Sequence, residues 1–138
     1  VRKSGDKGEQ DLASWLARGN RLGVTRDYNY GPEIARLLQR YRAQVSEVND
    51  VQNYRKLQLG RIDGFLGDIL ATPWGLKREG LAEEVVPHIM GVYETPTFFM
   101  LSKKTLSGEF VQRFNQALEA VGKSEEHALI WRRYLPAR

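Results

Sequence analysis

The order of apolar and polar positions divides the chain into short alternating segments. Within GPEIARLLQRYRA, Ile34, Leu37, Leu38 and Tyr41 recur at i, i+3, i+4 and i+7, which predicts an amphipathic helix with Pro32 at an early helical position. Before it, residues 21–25 (RLGVT) form a compact apolar run read as a strand, followed by the turn formers of DYNYGPE. Residues 45–48 form a second strand. Asp50 is placed to cap a helix whose Val51, Tyr54 and Leu57 lie near one face and which Gly60 stops. Residues 62–66 (IDGFL) read as a third strand. Pro73 limits any helix begun at Asp68 to little more than one turn, unless the helix resumes after it. Residues 85–90 and 97–101 are further strand candidates. Phe110, Phe114, Ala117, Leu118 and Val121 mark a helix ended by Gly122, and Ile130, Trp131, Tyr134 and Leu135 mark a last one. At the start, Leu12, Trp15, Leu16 and Ala17 suit a short helix ending at Gly19, within a polar lead-in segment.

Strands alternating with helices predict an α/β fold built on parallel strands. At 138 residues with 41% hydrophobic content, the chain has the makings of a folded domain rather than a disordered one. The absence of cysteine removes disulfides, Cys-based zinc sites and thiol chemistry. The net charge of +4 is spread along the chain and does not specify an acidic partner. No apolar run approaches the roughly 18 residues that a membrane span needs. No signal peptide is visible, and a start at Val1 instead of Met fits a processed or trimmed product.

In open parallel sheets, ligands bind beyond the carboxyl ends of the strands. The residues there are Thr25, Arg26, Asp27, Tyr28, Asn29 and Tyr30 after the first strand and Asp68 after the third, and of these Thr25, Tyr28, Asn29, Tyr30 and Asp68 are the ligand candidates. A helix beginning near Gly31 would offer amides to an anion, and Asp68 would pair with an ammonium, so together they suit a zwitterion. The competing reading is structural: Asn29 or Tyr30 begins a helix, and Asp68 caps the turn after its strand.

The stretches RLGVTRDYNYGPEI, YRKLQLGRIDGFLGD and TPTFFMLSKKTLSGEFVQRFNQALEAV follow one another as in the second half of a known family. In this order the chain resembles the family 3 extracellular solute-binding proteins, the amino-acid-type receptors of bacterial import systems. The resemblance implies a doubly wound, mainly parallel periplasmic-binding-protein-like fold of type II, with flanking helices. It implies a lead-in or hinge segment over residues 1–17, lobe two over 18–94, and over 95–138 a return strand and C-terminal helices belonging to lobe one. It implies a periplasmic, non-enzymatic component of an ABC-type importer, made with a signal peptide in its precursor and closing its lobes on a small polar or zwitterionic solute. The partners implied are that amino-acid-like ligand and a membrane permease, with no nucleic acid, cofactor or metal. The family's lobe-two aspartate falls on Asp68, and its carboxylate-meeting loop on Tyr28 and Asn29. The chain departs from the pattern where Asp27 replaces the usual Gly and Tyr28-Asn29 the usual Ser/Thr pair, which bears on the ligand's identity. The first lobe has no counterpart in this sequence, so apolar surface on residues 98–101 and 110–118 is expected to find another partner, including self-association or a swapped dimer.

Other readings keep the fold and change the role: a ligand-sensing domain of a sensor kinase or transcription regulator, or a dehydratase-like enzyme. For catalysis the chain offers Asp63, Asp68, Glu94, His88 and His127, without paired metal-ligand spacing around either His; Ser102 in LSKK lacks a GxSxG setting. Arg36, Arg40, Arg42, Arg55, Lys56 and Arg61 read as a solvated basic face, with Tyr41 in the core. Trp74 either stacks on a ligand or packs against a neighbouring helix, and Trp15 and Trp131 anchor terminal helices.

Overall fold

A computed structural model describes residues 1–2, 11–88 and 92–134. The chain divides into two compact units, Val1–Thr95 and Pro96–Arg138. The first is mixed α/β. Its elements are α1 (Leu12–Ala17), β1 (Leu22–Thr25), α2 (Gly31–Arg40), β2 (Val45–Val48), α3 (Asp50–Gln58), β3 (Gly64–Phe65) and α4 (Ala71–Arg78). The three strands form a parallel sheet in the order β2-β1-β3, with Leu22 opposite both Val45 and Gly64.

Side chains of a strand alternate between faces, and β1 uses both. Leu22 and Val24 join Leu12, Trp15, Leu16 and Ile34 in a core with α1 and α2. On the other face, Tyr54, Leu57, Ile62, Leu76, Leu81 and Val85 form a second core with α3 and α4. Helices thus cover both faces, which explains why β1 is buried along its whole length. Gly23 faces α3. A Cβ there would lie 2.3 Å from Asn53 Oδ1 and 2.7 Å from Ile62 Cδ1, so only glycine lets α3 approach this closely. Asn53 is fully buried, and neither of its amide atoms has a hydrogen-bond partner among the described residues.

Polar contacts hold the strand ends. The Arg21 guanidinium donates to both Asp63 oxygens at 2.9 Å, and the Arg21 backbone N–H adds a third bond at 2.8 Å. This fork ties the start of β1 to the residue before β3 and holds the Asp63 carboxyl below its usual range.

Trp15 and Leu16 of α1 are buried in the first core. Several expectations are corrected. Asn49, not Asp50, caps α3: its side chain accepts from Gln52 N–H, and the Gln52 side chain accepts from Asn49 N–H in a reciprocal capping box. β3 is only two residues long. α4 begins at Ala71, which puts Pro73 in the first turn, where its missing N–H costs no intrahelical bond. Val85 makes an isolated antiparallel bridge with Arg2 rather than a strand; residues 89–90 of that expected strand and Leu135 of the last helix lie outside the described residues. Residues 97–101 form no strand and are mostly exposed.

The second unit holds α5 (Gly108–Gly122) and α6 (Glu125–Tyr134). Ser107 caps α5 by accepting from Phe110 N–H at 3.1 Å. The Trp131 indole donates to His127 Nε2 at 2.9 Å, one turn back on α6. No described residue of this unit is buried.

Candidate functional site

Because the strands are parallel, the segments leaving Thr25, Val48 and Phe65 all open on one end of the sheet. The β1 loop turns sharply. Tyr28 N–H donates to Thr25 C=O at 3.4 Å, and Asp27 adopts φ +63°, a left-handed conformation that Asp tolerates better than most residues. Thr25 is buried and fully engaged: its hydroxyl donates to the Asp50 carboxylate, and its backbone N–H donates to the Tyr30 hydroxyl at 2.8 Å. Burial chiefly pushes the Tyr30 hydroxyl above its ordinary pKa, so it stays protonated and neutral. Asn29 Oδ1 accepts from Gly31 N–H at 2.9 Å, so this first amide of α2 is not free. Tyr28 is half exposed, with its ring centroid 6.2 Å from that of Tyr30.

An open hollow of about 570 Å³ lies between this loop, α2 and the edge strand β2. That volume falls within the range of small-molecule sites. Four of the five expected residues, Thr25, Tyr28, Asn29 and Tyr30, line it. Asp68 does not; it stands on the neighbouring β3 loop. There one Asp68 oxygen accepts from Leu70 N–H at 2.9 Å and Ala71 N–H at 2.7 Å, as the capping reading holds, and the other oxygen has no partner among the described residues.

Three charged residues outside the ligand candidates also line it: Asp27, Arg42 and Glu47. None makes an ion pair among the described residues, so charges of both signs face the hollow. The register signals Glu47, since it lies opposite Val24 on the face that packs against α2, where an apolar residue would be ordinary. Glu47 is exposed, and a charge on an edge strand also discourages pairing with another sheet. No sequence pattern marks Tyr93. A Cβ at Gly31 would lie 2.2 Å from its ring, so Tyr93 sits beside the start of α2. Trp74 is 61% exposed.

Among the described residues, no three His, Asp or Glu side chains come together as a metal-binding group, and no helix is long and apolar enough to cross a membrane. Compared with protein-family models, curated proteins and solved structures, the chain matches none.

Proposed function

We propose that the chain is the second lobe and C-terminal return segment of a type II solute-binding receptor. It captures a small polar or zwitterionic, amino-acid-like solute for an ABC-type importer in the periplasm. The observation that supports this reading is the parallel pairing of β1 with β3, which opens the Tyr28–Tyr30 loop and the Asp68 loop on one end of the sheet. Charge supports the ligand class. Arg42 offers a guanidinium to a carboxylate, while Asp27, Glu47 and the unengaged Asp68 oxygen offer anionic groups to an ammonium. Asp27 bears on the fold type as well, because its positive φ is a conformation glycine adopts freely, and glycine is what the receptor pattern usually carries there. In this reading the loops form one wall of a cleft, and hinge closure of a second lobe supplies the other and presents a new surface to the permease.

Equilibrium dialysis of the chain against labelled amino acids tests the proposal. One wall of a cleft gives weak but saturable binding, and Arg42→Ala lowers affinity at least about tenfold through loss of the carboxylate's partner. Absence of saturable binding for every amino acid tried, or an Arg42→Ala variant of unchanged affinity, would contradict it.

A further inference from the structure

The hollow beside α2 carries more acid than base. Two carboxylates, Asp27 and Glu47, and one guanidinium, Arg42, line it, in a chain whose net charge is +4. A solute with one charge of each sign would answer Arg42 and one of the carboxylates and leave the other carboxylate without a counter-charge. Complementarity therefore asks for one more positive charge on the solute.

The order of the three charges along the sheet indicates where that positive charge sits. β1 and β2 are parallel with Val24 opposite Glu47, so positions on the two strands can be compared directly. Arg42 comes first. It opens the short turn Arg42–Gln44 that leads into β2, and Gln44 of that turn donates to Asn20 C=O at 3.0 Å, at the amino end of the sheet. Glu47 follows, near the carboxyl end of β2, on the same face as Val45. Asp27 comes last, beyond Thr25, the final residue of β1; at about 3.3 Å per residue it stands within about 10 Å of the level of Glu47. From the amino end outwards the series is positive, negative, negative. The complementary solute reads carboxylate, ammonium, second cation, with an apolar stem between the two cations. The walls suit both parts: Val24 and Val45 are apolar, and the half-exposed Tyr28 ring offers a π face to a cation near Asp27.

We infer, resting on the receptor reading above, that the hollow selects a basic amino acid, with the solute's carboxylate on Arg42, its α-ammonium on Glu47 and its side-chain cation on Asp27. Equilibrium dialysis of the chain at low ionic strength against labelled lysine, norleucine and cadaverine separates these contacts. Norleucine keeps lysine's head group and stem without the side-chain cation, and cadaverine keeps both cations without the carboxylate. Lysine is expected to bind about fivefold or more tightly than either, the upper range for an open ion pair. Asp27→Asn removes the preference for lysine over norleucine, and Asn suits the positive φ of this position, so the loop keeps its shape. Norleucine or cadaverine binding as tightly as lysine, or a lysine preference that survives Asp27→Asn, overturns the basic solute; the receptor reading then stands as long as Arg42→Ala still weakens norleucine binding. Saturable binding of another amino acid without lysine binding also overturns the basic solute alone, whereas no saturable binding by any amino acid overturns both.

Discussion

Gly23→Ala is a sharp perturbation of the sheet, because one methyl group has to enter where α3 meets β1. The added Cβ would lie 2.3 Å from Asn53 Oδ1, 2.7 Å from Ile62 Cδ1 and 3.0 Å from Asn53 Cγ. Neither neighbour can retreat into solvent: Asn53 is 0% and Ile62 2% exposed. Relief requires α3 to shift outward or two buried side chains to leave their rotamers, and overpacking of this kind costs about 1–3 kcal/mol. For a unit of this size each kcal/mol lowers Tm by about 4–8 °C. Urea denaturation followed by tryptophan emission reads the effect, since Trp15 lies in the first core whereas Trp74 is largely exposed. Asn53→Ala makes room for the methyl, so the double variant should lose less than the two single losses combined, with a coupling of about 0.5–3 kcal/mol. A neutral Gly23→Ala, or strictly additive losses, would refute this account of how α3 docks.

One further outcome follows from a local contact. Asn49→Ala removes the capping box of α3 and should cost about 1 kcal/mol, whereas Asp50→Ala leaves that cap intact; equal loss of helicity in the two variants would contradict the assignment.

Much of the first unit was legible in the chain, and the particular residues show why. Ile34, Leu37, Leu38 and Tyr41 predicted α2 because a helix shows one stripe to the core, and all four pack there. Residues 21–25 and 45–48 read as strands because each is apolar enough to be covered by helices. The residues 97–101 failed for the converse reason: TFFML has the β-branched and aromatic content of a strand, but strand structure depends on a partner, and that partner is a tertiary fact. Adjacent Asn49 and Asp50 are both capping residues, so only the observed bonds distinguish them. At the candidate site, Thr25, Tyr28, Asn29 and Tyr30 were found from their place after a strand, whereas Arg42 and Glu47 join them only through the packing of α2 on β2. Asp68 was legible as a polar residue after β3, and its two backbone bonds explain why it fits both the capping and the ligand readings.

The most direct test of the functional account is amide NMR of the isotope-labelled chain during titration with histidine, a zwitterion with a polar side chain. Concerted, saturable shifts of the Thr25–Gly31 amides and of the Asp68, Leu70 and Ala71 amides, giving one dissociation constant, are the predicted result. Shifts in only one of those two loops, or in neither at saturating histidine, would contradict the claim that they share a solute.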